Sequence, residues 1–190
     1  LWQPHYTLIV MSAMLLVCGH GAIQGLRVPA VREQELPLAK LPRELDGLRI
    51  AVIADLHACP INNAFYVREV VERTNAAKPD LIVLPGDLVD GDVATQAHNI
   101  APLADLYAPH GVWVAPGNHE YYGGAMHATE ALLRAMPGYL NCGARDVGGV
   151  RVLGCTLWAA PPPRLACFND FLRIRTPDGN WTRRDMCAAH

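Results

Sequence analysis

Val112-Trp113-Val114-Ala115-Pro116-Gly117-Asn118-His119-Glu120 runs from a short apolar stretch into a glycine-opened turn rich in metal-binding side chains. Two earlier stretches repeat the pattern. Leu48-Arg49-Ile50-Ala51-Val52-Ile53-Ala54 leads into Asp55-Leu56-His57, and Leu81-Ile82-Val83-Leu84-Pro85 leads into Gly86-Asp87-Leu88-Val89-Asp90. The first of these is rich in β-branched residues and nearly all apolar, which predicts a strand buried on both faces of a sheet. Between the runs lie stretches with helical spacing. Phe65, Val67, Val70 and Val71 interleave with Arg68, Glu69, Glu72 and Arg73 up to Lys78-Pro79-Asp80, and Ile100, Leu103 and Leu106 mark a second stretch over residues 95–107. Strand and helix alternating at roughly thirty residues per step are the pattern of βαβ units, and so of an α/β fold with a βαβαβ core. Sheets of that kind gather their chemistry at the carboxyl ends of the strands, where all three turns fall.

Outward from this core the reading is coarser. Downstream, a loop at Tyr121-Tyr122-Gly123-Gly124 precedes a predicted helix over residues 125–136, a turn over 141–149 and a strand over 150–154. A short helix is expected at 168–174 and a loop at 176–185. Upstream, residues 6–26 are mostly apolar and about long enough to cross a bilayer, so residues 1–27 are predicted to form a transmembrane helix. Arg27 and Arg32 follow it and lean towards a cytoplasmic side by the positive-inside bias. Residues 28–47 alternate prolines and charges and read as a linker, leaving residues 48–190 as the domain proper.

Composition removes several classes of function. The net charge is −2 and the 16 basic residues are scattered, which gives no electrostatic footprint for nucleic acid. Ser12 is the single serine and lies in the N-terminal apolar run, so a serine-nucleophile hydrolase is excluded. The six cysteines, Cys18, Cys59, Cys142, Cys155, Cys167 and Cys187, are widely spaced without a CxxC pair and are expected to be free or buried thiols. His5, His20, His98 and His110 have no spacing partners and are expected at ordinary surface positions.

The three turns carry the chemistry. Asp55 and His57 are two residues apart, so at an extended strand end their side chains share a face and could grip one cation. Asp87 is a carboxylate able to bridge two cations at the roughly 3.5–4 Å separation used by two-metal phosphoesterases. Asn118 adds a neutral oxygen ligand, and the mixed nitrogen and oxygen set suits Mn, Fe or Zn better than Ca²⁺. His119 is free to face substrate, to protonate a leaving alkoxide or to stabilise charge on phosphoryl oxygens.

DLH, GDLVD and GNHE, in this order and at this spacing, resemble the calcineurin-like metallophosphoesterase superfamily over roughly residues 48–158. The apolar N-terminus and the phrase GLRIAVIADLH resemble its membrane-associated bacterial branch, while VLGCTLW, FNDFLRIR and GNWTRRD look more like a soluble branch. The resemblance implies a four-layer α/β/β/α sandwich and two divalent metal ions. Asp55 and His57 would hold the first, Asp87 would bridge, and Asn118 would bind the second. His119 would be the catalytic histidine, with Asp90 orienting it, and a metal-bound hydroxide would attack phosphorus in line. The implied partner is a phosphoester substrate; the N-terminal membrane segment adds the expectation of a bacterial inner-membrane location and of a lipid- or nucleotide-linked substrate, and no substrate-binding residue is identified.

The chain departs from the superfamily after Glu120. Its later histidine ligands and closing GHxH turn have no counterpart, since His127 falls in a predicted helix and His190 is the last residue. The chain starts at Leu1 and is expected to be a fragment, incomplete at the C-terminus of its hydrolase domain. The rival reading is a catalytically incomplete scaffold of the same fold, or a gene fragment with no turnover.

Overall fold

Three short strands, β1 (Ile50–Val52), β2 (Leu81–Leu84) and β3 (Val112–Val114), lie side by side in that order in a parallel sheet. The computed structural model describes residues 4–122, 136, 138–156, 175–176 and 179–180. Register places Ala51 beside Ile82, Ile82 beside Val112, and Leu84 beside Val114. Because side chains alternate along a strand, these five residues share one face. Against that face pack α2 (Ala64–Ala76) and α3 (Val93–Ile100), and Ile82, Leu84, Val67, Val71 and Val114 form a core with at most 3% exposure. The crossover from β1 to β2 through α2, and from β2 to β3 through α3, makes the βαβαβ unit read from the sequence.

Helix boundaries follow local chemistry. Asn63 caps α2, its side-chain oxygen accepting from the backbone N–H groups of Phe65 and Tyr66. Asp92 caps α3 through the N–H and hydroxyl of Thr95, contacts that hold its carboxyl below the usual range. The stretch predicted as one helix over 95–107 divides in the structure. α3 ends at Ile100 and a 3₁₀ turn, Ala101–Asp105, follows, because Pro102 has no N–H to continue an α-helical ladder.

The opposite face of the sheet differs from expectation. Ile50 is 49% and Val52 64% exposed, so β1 is covered on one face only. An apolar run predicts burial on both faces, but the face of β1 that carries Ile50 and Val52 is left open while the Ala51 face packs on the core.

Residues 141–149, read as a turn, contain a strand. β4 (Gly143–Val147) pairs antiparallel with β5 (Val150–Gly154) across Gly148-Gly149. Both glycines have positive φ, 56° and 82°, as a two-residue hairpin of the primed type requires. Directly opposite one another, Asp146 and Arg151 form a bidentate pair at 2.7 and 2.8 Å that holds the carboxyl below its usual range and raises the guanidinium. The thiols predicted to be free include two that are not: Cys142 and Cys155 flank the hairpin and are joined by a disulfide. Spacing of 13 residues is no CxxC signal, yet hairpin register sets the two side by side.

Backbone bonds tie the segment before the hairpin to β3, with Leu140 N–H donating to Val114 O at 2.8 Å and Val114 N–H to Gly138 O at 3.1 Å. Within residues 176–185, read as a loop, Gly179–Asn180 (β7) pairs antiparallel with Arg175–Thr176 (β6). The helices predicted at 125–136 and 168–174 lie outside the described residues, apart from Met136.

Residues 1–30 and 31–190 are separate compact units. In the first, α1 (Pro4–Gly25) has 22 residues, a mean hydropathy of 1.8 and no buried residue. By length and composition it is able to cross a membrane, a test that a signal sequence also passes.

Candidate metal centre

Each of the three strands of the parallel sheet delivers one turn to the site, and the backbone of these turns is unusual. Asp55, His57 and Asp87 all have positive φ, at 52°, 45° and 53°. Left-handed backbone is uncommon outside glycine, costs of order 1–3 kcal/mol per residue, and clusters at functional sites. It also corrects the geometry expected for Asp55 and His57. The pair does not sit on an extended strand end; a left-handed turn at both residues brings His57 Nε2 to 3.8 Å from Asp55 Oδ1.

The first turn is laid against the second by backbone pairing. His57 N–H donates to Asp87 O at 2.9 Å, Ala58 N–H to Leu88 O at 2.8 Å, and Asp90 N–H to Ala58 O at 3.0 Å. The second is laid against the third even more closely. A Cβ on Gly86 would fall 2.2 Å from Gly117 N, and a Cβ on Gly117 would fall 2.3 Å from Asp87 Oδ1, so only glycine fits at either position. His119 N–H donates to Asp87 Oδ1 at 2.9 Å and fixes that carboxylate's rotamer.

This packing brings three side chains together. One donor atom from each of His57, Asp87 and His119 lies within 4.8 Å of the others, a group able to hold a metal ion. Asp55 stands beside it through His57. The imidazoles of His57 and His119 meet edge to face with centroids 4.4 Å apart, so His119 is part of the cluster. On its other side His119 Nδ1 is 3.1 Å from Asp90 Oδ1. Asn118 donates from Nδ2 to Tyr122 Oη at 2.6 Å, which directs its Oδ1 the other way. The donor set combines imidazole nitrogen with carboxylate oxygen and is half-buried, which fits a divalent transition metal.

Some of the architecture was not read from the sequence. Tyr122, which bonds Asn118, is read from the sequence only as part of a loop, whereas it ends α4 (His119–Tyr122). Thr156, 7% exposed, donates its hydroxyl to Pro116 O at 2.9 Å and meets Tyr121 Oη at 3.1 Å, fastening the turn from the hairpin side. No sequence signal marks a lone threonine 40 residues away. Of the histidines set aside, His98 is exposed and His110 packs near Gly148.

Strained turns at the carboxyl ends of parallel strands, converging on imidazole and carboxylate donors, define a metal-binding type of site. Comparison with known proteins agrees: residues 48–174 match the family model for calcineurin-like phosphoesterases, more than half of the chain, and the chain belongs to that family. It is 31% identical over 128 residues to a "Transmembrane protein with metallophosphoesterase domain" of Danio rerio, covering 67% of this chain and 29% of that protein. The protein of the same description from Bos taurus is 29% identical over 134 residues, 70% of this chain and 30% of the relative. A metallophosphoesterase of Helicobacter pylori (strain J99) is 34% identical over 121 residues, 64% of this chain and 31% of the relative. The chain thus spans about a third or less of these relatives' lengths. No solved structure matches it significantly.

Proposed function

We propose that this chain hydrolyses a phosphoester or phosphodiester at the site built by its three turns, with two divalent cations drawn from Mn, Fe and Zn. The observation that carries the reading is the convergence of His57, Asp87 and His119 donor atoms within 4.8 Å on turns from three adjacent parallel strands. Asp55 and His57 would hold the first cation, Asp87 would be shared, and Asn118 would serve the second. The cations supply activation of a water molecule and neutralisation of charge at phosphorus.

The remaining chemistry belongs to the chain's own side chains. Asp90 keeps the His119 proton on Nδ1 and sets the ring's orientation, leaving Nε2 as the atom that meets the substrate. As the imidazolium, with Nδ1–H donated to Asp90, His119 turns its Nε2–H to the phosphoryl oxygens and gives that proton to the departing alkoxide, becoming the neutral Nδ1–H tautomer. Tyr122 anchors the Asn118 side chain at its far end by the bond from Nδ2. In this reading residues 48–190 are the catalytic domain, residues 28–47 the linker and residues 1–27 a transmembrane segment of a bacterial inner membrane; the length and apolar composition of α1 support the membrane location. That placement suits a lipid- or nucleotide-linked substrate.

A second reading has one observation in its favour: the metal-donor group found among the described residues has three members, a count that suffices for one cation and a scaffold without turnover. The same experiment separates the two. Purified protein with Mn²⁺ is expected to hydrolyse an aryl phosphodiester, and His119→Ala to lose about 10²–10⁴ of that rate while still binding metal. Bound metal without turnover in the unaltered protein supports the scaffold and refutes the hydrolase.

A further inference from the structure

The carboxylate beside the histidine, Glu120, has no part in the chemistry described above, yet it is among the most enclosed side chains of the protein. Its exposure is 2%, against 50–72% for the side chains of Asp90 and Asp55. A buried carboxylate is costly unless its oxygens are matched by donors. Here they are matched entirely by backbone. Oε2 accepts from Asp87 N–H at 2.8 Å and from Gly117 N–H at 2.7 Å; Oε1 accepts from Leu88 N–H at 2.6 Å and from Val89 N–H at 3.3 Å.

The distribution of these donors is informative. A carboxylate that merely closed its own short helix, α4 (His119–Tyr122), would bond to N–H groups just upstream, as the Gly117 bond does. The other three come from the second turn, 31–33 residues earlier in the chain. Oε2 spans the two turns directly, with the N–H of Asp87 on one side and that of Gly117 on the other. These are the residue proposed to be shared between cations and the residue next to Asn118. The same two turns touch through Gly86 and Gly117 and share the bond from His119 N–H to Asp87 Oδ1, and this carboxylate adds a direct tie between their amides.

We propose that Glu120 is a positioning residue of the metal centre: its buried carboxylate staples the turn of Asp87 to the turn of Asn118 and thereby fixes the spacing at which the two ligands meet metal. The inference rests on the metal-centre reading given above and assigns a role to a residue that reading leaves idle. Glutamine has nearly the same shape but replaces one acceptor oxygen with an NH₂ donor. All four backbone partners are themselves donors, so the amide sets donor against donor on one side of the staple. The turns then part, and the metal loses its preorganised ligands.

Calorimetric titration of the full chain with Mn²⁺ alone tests this, comparing the unaltered protein with Glu120→Gln and with Val67→Ala. Val67 is fully buried in α2 and outside the site, so its variant reports what a loss of stability does without any change of turn spacing. Glu120→Gln is expected to weaken Mn²⁺ binding by about 10–100-fold, and Val67→Ala to leave it unchanged. Glu120→Asp keeps two acceptor oxygens on a stem one methylene shorter and is expected to bind with intermediate affinity. If Glu120→Gln does not fold, Glu120→Asp decides by itself, and affinity equal to the unaltered protein overturns the proposal. Equal affinity in Glu120→Gln, or equal weakening in Val67→Ala, overturns the staple while leaving the metal centre standing. Absence of Mn²⁺ binding in the unaltered protein overturns both.

Discussion

Two glycines with nearly the same positive φ make it possible to weigh the contact between the metal-binding turns separately from the strain of that φ. Gly86 has φ +101° and Gly91 φ +97°, so alanine at either position is held in a region that L-residues avoid, at about 1–3 kcal/mol. Around Gly91 there is nothing within 4 Å of an added Cβ. At Gly86 the same atom would lie 2.2 Å from Gly117 N and 2.5 Å from Gly117 Cα, where ordinary contact begins near 3.4 Å. Both neighbours are backbone and cannot swing aside. Relief requires the turns to part by about 1 Å, which adds about 1–3 kcal/mol of overlap strain and is enough to cost roughly 100-fold at a site that depends on ligand placement. Urea denaturation of the two alanine variants is therefore expected to show Gly86→Ala the less stable by about 1–3 kcal/mol. Phosphodiester hydrolysis with saturating Mn²⁺ is expected to fall about 100-fold in Gly86→Ala and to change little in Gly91→Ala. Equal stability and equal activity in the two variants would refute the claim that close approach of these turns builds the site.

Further consequences concern the periphery of the domain. The Cys142–Cys155 bridge closes a loop of 13 residues, so replacing both cysteines by serine is expected to cost about 3 kcal/mol in urea denaturation under non-reducing conditions. A non-reduced digest should yield the linked peptide, and unlinked peptides would contradict the pairing. Asp92 contributes its α3 cap fully at and above the ordinary carboxylate range, and that contribution is lost as pH falls through its lowered folded value. NMR titration of Asp92 should show a midpoint below that of unstructured aspartate, with the Thr95 amide shifting in step; a midpoint at or above it would remove the cap's charge from the account.

How legible all this was in the sequence depended on the range of the interactions involved. β-branched runs ended by Asp55, Gly86 and Gly117 revealed the parallel sheet, because a local pattern of period and terminator determines those strands. The burial of β1 was misjudged since facing-layer contacts decide it: Ile50 and Val52 read the same whether or not anything packs over their face. β4 was overlooked because Gly143-Ala144-Arg145-Asp146-Val147 is weak in β propensity and gains its structure from pairing with β5, although Gly148-Gly149 was a usable hairpin signal. Candidate ligands were recognisable from residue type and spacing. The left-handed turns that present them, the Tyr122 bond to Asn118 and the Thr156 bond to Pro116 come from contacts that spacing does not encode.

Diffraction from crystals of the full chain grown with Mn²⁺, recorded at the manganese absorption edge, bears most directly on whether the three turns make one metal centre. Two anomalous peaks are predicted, one against Asp55 and His57 and the other against Asn118, with Asp87 between them. No peak at these turns, or manganese bound only at other residues, would contradict the account.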